Sequence, residues 1–146
     1  MPVKPRPDGY HAVTPYLVVQ DAARLIAFTK EAFGAEEIFR HAAPDGSVMH
    51  AEVRIGDSPV MMGGTRPGID PFPAMLYLYV NDTDGTYERA LEAGATSIMK
   101  PADQFYGDRN GGVKDPFGNQ WWIATHVEDV SPEEMSRRAQ AKPGGH

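Results

Sequence analysis

The chain has 146 residues, 41% hydrophobic and 23% charged, the composition of one globular domain with a substantial core. Its formal net charge of -6 argues against a nucleic-acid or anionic-membrane surface, which needs a basic face. Cysteine is absent, which excludes disulfides, thiolate catalysis and cysteine-based zinc sites.

Met1 to Gly9 is polar and proline-rich and lacks an apolar signal-peptide core. No later run approaches the roughly 18 apolar residues that span a bilayer. Cytoplasmic residence is expected, with neither membrane nor nucleic acid as partner. The first strand is expected over Thr14 to Val19. Asp21 then caps a helix over Ala22 to Phe33, whose Ala22, Leu25, Ile26 and Phe33 form an apolar stripe closed by Gly34. Strands follow over Glu36 to Ala42, Val48 to Ile55 and Pro59 to Met62, punctuated by Pro44-Asp45-Gly46 and Gly56-Asp57-Ser58. Gly63 to Pro73 reads as a linker.

The order then repeats: a strand over Met75 to Val80, a helix over Thr83 to Ala93 stopped by Gly94, and a strand over Ala95 to Lys100. An aromatic loop over Gln104 to Asn110 precedes a short strand over Gly111 to Lys114. The turn Asp115-Pro116-Phe117-Gly118 leads to a last strand over Gln120 to Thr125. Ser131-Pro132-Glu133-Glu134 is a capping box that starts a short C-terminal helix, frayed by Pro143-Gly144-Gly145. Val19-Gln20-Asp21 aligns with Val80-Asn81-Asp82, and each copy then runs through a helix to Gly-Ala, at Gly34-Ala35 and Gly94-Ala95. The chain therefore reads as a single domain over 1–146 built from two strand-helix-three-strand modules, about 9–63 and 74–126, with a C-terminal helix at about 131–141.

Several stretches carry a family resemblance. They are Thr14-Pro15-Tyr16-Leu17-Val18-Val19, Ala32-Phe33-Gly34-Ala35, His50 to Asp57, Asp103 to Arg109, and Asp115-Pro116-Phe117-Gly118 followed by Trp121. Together they resemble the vicinal-oxygen-chelate superfamily (glyoxalase, bleomycin resistance, extradiol dioxygenase), in its PhnB-like branch, over about residues 9 to 135. The resemblance implies an α+β fold: two βαβββ modules forming a cupped mixed or antiparallel sheet with helices outside, a homodimer, and a small-molecule pocket in the cupped face. It constrains function loosely, because the superfamily spans isomerases, dioxygenases, epimerases, thiol transferases and non-catalytic drug-sequestering proteins.

The family's metal enzymes place one ligand on the first strand and one on the last strand of each module. Carried over by counting, those positions are Thr14, Met61, Met75 and Trp122. None is a carboxylate or imidazole, so no metal site and no cofactor is expected. Strand alternation puts Met75, Tyr77 and Tyr79 on one face of the fifth strand, and Thr14, Tyr16 and Val18 on one face of the first. That mixture reads either as a binding cup for an apolar or aromatic molecule or as a small second core or dimer interface.

His50, Glu52 and Arg54 share a face of the third strand, while Met49, Ala51, Val53 and Ile55 share the other. They read as a pocket wall, with His50 or Glu52 as acid/base or as part of a non-standard divalent-metal site, or as an ion-pair ladder. In the aromatic loop, Phe105 and Tyr106 could close over a ligand and Arg109 hold a carboxylate or phosphate, or Asp108 and Arg109 could clamp the loop. His126 lies beyond the last strand and reads as solvated.

The expectation is a metal-independent small-molecule-binding protein with catalysis undecided. The candidate ligand-binding residues are Thr14, Tyr16, Arg54, Met61, Met75, Tyr77, Phe105, Tyr106, Arg109 and Trp122. Its partner is a small hydrophobic or aromatic molecule. The alternatives are an isomerase or lyase using His50 and Glu52, and a structural dimer without ligand.

Overall fold

The computed structural model describes residues 3–141. The expected fraying at Pro143-Gly144-Gly145 lies outside them. The chain divides into two compact units whose boundary falls between Ala74 and Met75, just past the expected linker.

The first unit runs β1 (Tyr16–Val18), α1 (Ala22–Phe33), β2 (Glu36–Ala42), β3 (Val48–Ile55) and β4 (Ser58–Gly63). They make a four-stranded sheet in the order β1-β4-β3-β2, in which β1 is parallel to β4 and the other pairs are antiparallel. The second unit runs β5 (Met75–Tyr79), α2 (Thr83–Glu92), β6 (Thr96–Asp103), β7 (Asp108–Lys114), β8 (Gln120–His126) and α3 (Pro132–Ala141). Its sheet repeats the pattern as β5-β8-β7-β6. The fold is α+β, with two repeated modules on open sheets.

The helices start where short acids can take up unpaired N–H groups. Asp21 accepts from the Arg24 amide (3.2 Å), and Asp82 accepts from the Gly85 amide (3.0 Å). Helix α1 ends at Gly34 in the left-handed conformation (φ 66°), where its N–H returns to the Lys30 carbonyl. Its buried stripe is Ala22, Leu25, Ile26, Phe28, Thr29 and Ala32. Phe33, expected in the stripe, is only half-buried, since Phe28 and Ala32 complete the inward face. That stripe and the inward residues Leu17, Val19, Ala51, Val53, Ile55 and Met62 form the first core. Each large aliphatic side chain so buried contributes about 1.5–3 kcal/mol, and Leu25→Ala would cost about 2–5 kcal/mol.

The second core is smaller in α2 (Thr83, Thr86, Tyr87, Ala90) and richer in the sheet, with Val113, Trp121 and Ile123. The turn after β7 is organised by Asp115, itself buried. Its carboxylate accepts from the amides of Phe117 (2.9 Å) and Asn119 (3.0 Å), the Asn119 side chain (3.0 Å) and the Trp121 indole (2.9 Å).

The elements depart from sequence expectation in two places that matter. Strand β1 begins at Tyr16, not Thr14, because Pro15 has no N–H to place in a ladder; its carbonyl still accepts from Met61 N–H (2.9 Å). Strand β7 begins at Asp108 and β6 runs on to Asp103, so the last three residues of the expected aromatic loop, Asp108 to Asn110, are paired strand and only Gln104 to Gly107 turn. The hairpin closes through Gln104 N–H to the Asp108 carbonyl (2.7 Å). Gly107 (φ 100°) is required there, since a Cβ would lie 2.3 Å from the Glu128 carbonyl oxygen.

Candidate functional site

In the first module, ladder register decides which side chains meet. Tyr16 on β1 stands opposite Met61 on β4, Met61 opposite Glu52 on β3, and Glu52 opposite Phe39 on β2. Residues directly opposite share a face, so Tyr16, Met61, His50, Glu52, Phe39 and His41 lie on one sheet surface. Pleating turns Ala51, Val53 and Ile55 the other way, into the core.

Across that surface runs a chain of hydrogen bonds. The Tyr16 hydroxyl lies 3.0 Å from His50 Nδ1, and His50 Nε2 lies 2.8 Å from Glu52 Oε2. The Tyr10 hydroxyl donates to Glu52 Oε1. A carboxylate only accepts, so with Glu52 ionised Nε2 is the nitrogen that donates to it; in the tautomer with its single proton on Nε2, Nδ1 accepts the Tyr16 proton. Arg54 stands outside this chain and faces Glu36 across the sheet at 3.7 Å, with Arg54 partly and Glu36 largely in water. The expected row His50, Glu52, Arg54 therefore splits into a His50–Glu52 couple and an outlying ion pair.

A cavity of about 530 Å3 opens beside the couple, lined by Thr14, Glu52 and Met61 and by Pro5, Arg6, Pro7, Tyr10, His11 and Ala12. That volume lies within the roughly 300–1,000 Å3 of small-molecule sites. Thr14 sits in the segment before β1, where its hydroxyl donates to the His11 carbonyl (3.2 Å). A second cavity of about 500 Å3 lies at the Asp21 end of α1, bounded by Asp45, Ser47 and Arg66, and contains none of the expected site residues. We place the site at the first of the two because its wall holds the hydrogen-bonded His50–Glu52 couple's carboxylate.

The second module has an equivalent face with different occupants. Tyr77 stands opposite Trp122, and Trp122 opposite Gly112. The Trp122 indole lies on the Gly112 backbone so closely that a Cβ there would meet its ring carbons at 2.9–3.0 Å. Met75, Tyr77 and Tyr79 are exposed, Met75 at 65%. Both tyrosine hydroxyls donate to Oδ2 of Asp108, at 2.7 Å from Tyr77 and 2.9 Å from Tyr79. Burial and the bond to Asp108 push the Tyr77 phenol well above its usual range, and the same bond raises Tyr79. Asn110 donates to the Tyr77 (3.0 Å) and Tyr106 (2.7 Å) hydroxyls.

His126 is not simply solvated. It closes β8, with Nδ1 2.8 Å from Asp108 Oδ1 and Nε2 2.8 Å from Asp129. Its pKa is raised, chiefly by the bond to Asp108 and then by that to Asp129. Burial would push the Asp108 carboxyl up, but the bonds from Tyr77, His126 and Tyr79 outweigh it and hold the carboxyl low. The signal for this network was alternation: Asp108, Asn110 and Gly112 fall on one strand face once β7 is started at Asp108. Tyr10 carried no comparable signal, being a lone aromatic in a proline-rich segment without periodicity.

Arg109 lies on the opposite face of β7 and forks onto both Asp84 oxygens (2.7 and 2.9 Å) while also reaching Asp103 (3.2 Å). Phe105 and Tyr106 pack edge to face at 5.2 Å, and the Arg138 guanidinium ties the Phe105 carbonyl (3.3 Å) to α3.

The matching glyoxalase/bleomycin resistance protein/dioxygenase superfamily profile covers residues 10–123. The chain belongs to that superfamily. It is 39% identical, over 92% of its length and 95% of the relative's, to an uncharacterised protein of Mycobacterium bovis. In fold it is similar to TioX from Micromonospora sp. ML1 (TM-score 0.69, 24% identity, covering 80% of this chain and 99% of that one). It is similar also to a gene product of Arabidopsis thaliana (TM-score 0.65, 24% identity, 79% and 98%). No helix among the described residues is long and apolar enough to cross a membrane.

Superfamily membership raises the question of a chelated ion. The ligand positions carried over from the resemblance hold a hydroxyl (Thr14), two thioethers (Met61, Met75) and an indole (Trp122). Thioethers suit soft ions, and an indole N–H is a donor with no lone pair to give. Among the described residues no group of three or more His, Cys, Asp or Glu side chains is placed to hold a metal ion. These side chains do not fit a divalent ion held by oxygen and nitrogen.

Proposed function

We propose that this protein binds a small apolar or aromatic molecule without a metal ion, as a cytoplasmic homodimer of the superfamily's PhnB-like branch. The observation that carries the reading is the 530 Å3 cavity of the first module, whose wall includes two of the family's chelate positions, Thr14 and Met61, neither of them a metal donor. A thioether, an aromatic hydroxyl and a methyl-bearing side chain offer dispersion contacts and a few orienting hydrogen bonds in place of coordination. The second module supports the same reading: its corresponding positions, Met75 and Trp122, sit beside the exposed rings of Tyr77 and Tyr79. Tyrosine and tryptophan supply large rigid contact area at low entropic cost.

The test is a titration of tryptophan emission with a panel of planar aromatic compounds, repeated as thermal shifts. At least one compound is expected to quench emission and raise the melting temperature, and Trp122→Ala and Met61→Ala to weaken both effects. If no compound quenches, and Trp122→Ala leaves every thermal shift unchanged, the binding reading fails. One observation favours a second reading, proton transfer with His50 and Glu52: their side chains are already joined in a hydrogen-bonded chain that ends on a tyrosine.

A further inference from the structure

His50 has both ring nitrogens engaged, which moves the reactive end of the chain away from the imidazole. The Tyr16 hydroxyl, 3.0 Å from Nδ1, is the outermost group, and Tyr16 is 41% exposed. Nucleophile, base and orienting carboxylate thus stand in series, the arrangement by which a weak hydroxyl nucleophile is activated. The rings of Tyr16 and His50 lie 5.5 Å apart at 37°, and Phe39 flanks the imidazole at 6.2 Å. Glycine at 63 leaves room beside the phenol: a Cβ there would lie 2.6 Å from the Tyr16 hydroxyl oxygen and 2.7 Å from the Met49 carbonyl oxygen. Glu52 is held on its far oxygen by Tyr10 and on its near oxygen by His50. The second module shows that this is no general property of the fold. At the position equivalent to Tyr16, Tyr77 meets the carboxylate of Asp108 and the amide of Asn110, neither of which activates the phenol by removing its proton at neutral pH.

We propose that Tyr16 is an activated nucleophile, served by His50 as base and Glu52 as its orienting group, and that it reacts with activated acyl compounds such as acyl imidazoles and aryl esters. In the first step the Tyr16 oxygen bonds to the acyl carbon while its proton passes to His50 Nδ1, and the imidazolium is held by Glu52. The bond from the acyl carbon to the leaving group then breaks, and His50 returns the proton to that group. The product is an aryl ester on Tyr16, open to hydrolysis by water with His50 again as base. This assignment does not depend on the binding reading above, since it rests on the relay and not on the cavity.

The experiment is acetylation of the intact protein with N-acetylimidazole near neutral pH, with the rate read at each tyrosine by peptide mass spectrometry. Tyr79 is the internal reference: at 60% it is more exposed than Tyr16, yet its hydroxyl is given to a carboxylate. Tyr16 is expected to acetylate at least about tenfold faster than Tyr79, in keeping with the contribution of a positioned base. His50→Gln should remove that advantage while leaving the Tyr79 rate unchanged, and Glu52→Gln should reduce it. A structural role alone would not give the expected solvent isotope effect, a Tyr16 rate slowed in D2O in the wild type and no longer slowed in His50→Gln. A Tyr16 rate no greater than that of Tyr79 would overturn the proposal. So would a rate unchanged in folded His50→Gln, with folding checked by circular dichroism.

Discussion

The contact between Trp122 and Gly112 sets the shape of the second module's open face, and it makes a quantitative prediction. In Gly112→Ala the new methyl would stand 2.9 Å from Cη2 and 3.0 Å from Cε2 and Cε3 of the indole. Carbon atoms prefer about 3.5–4.0 Å, so the ring must lift by about 0.5–1 Å. It has little freedom to do so, because Trp122 is 8% exposed. Overpacking of this kind costs about 1–3 kcal/mol, or about 3–12 °C in Tm for a chain of this size. Gly112 is not among the positive-φ glycines, so backbone strain does not enter. The assay is thermal unfolding by circular dichroism in a double-mutant cycle with Trp122→Ala. In the Trp122→Ala background, Gly112→Ala should be neutral or stabilising by up to about 1 kcal/mol, as the unfolded chain loses glycine's freedom. An equal loss in both backgrounds would show that the indole is not what requires glycine there.

Three further outcomes follow from the same contacts. His126→Gln tests the Asp108–His126–Asp129 chain. A raised His126 pKa stabilises the fold below its unfolded value of 6.5 and loses that contribution as pH rises through the raised value. A lowered Asp108 pKa contributes above its unfolded value of 3.8 and fades as pH falls through the lowered one. The Tm difference between wild type and His126→Gln should therefore be largest at about pH 4–6.5 and shrink by pH 9; a flat difference across that range would contradict the pairing. Arg109→Ala should let the Asp84 carboxyl, now held low by that guanidinium, rise toward its usual range in a side-chain NMR titration, at a stability cost of no more than about 1 kcal/mol. Asp115→Ala strips the acceptor from the Trp121 indole and the Asn119 amides and should cost about 3 kcal/mol or more in denaturant unfolding; a loss below about 1 kcal/mol would mean that water replaces the carboxylate.

Most of the fold was legible because its signals are local. Asp21 and Gly34 bracket α1 as written, and alternation along Val48 to Ile55 gave the buried set Ala51, Val53 and Ile55. The internal repeat then supplied the second sheet by analogy with the first. Legibility failed where a polar side chain is inward for a non-local reason. Asp108 and Asn110 looked like loop because strands seldom carry buried polar residues, and what allows them is Tyr77, Tyr79 and His126, which arrive from β5 and β8. Met49 failed in the other direction. Its place in the alternation put it with the core, yet it is 41% exposed at the end of its strand. The partners of His50 were half legible: Glu52 follows from the i, i+2 spacing on one strand, whereas Tyr16 and Tyr10 depend on register and on the path of the N-terminal segment.

The most direct measurement of the central claim is the saturation curve of a quenching aromatic compound, followed by tryptophan emission, in excess chelator and again with added Ni2+, Zn2+ or Mn2+. The account predicts the same midpoint and amplitude in every condition, because Thr14, Met61, Met75 and Trp122 have no ion to present. Binding that appears only with the ion, and disappears in His50→Ala or Glu52→Ala, would contradict it.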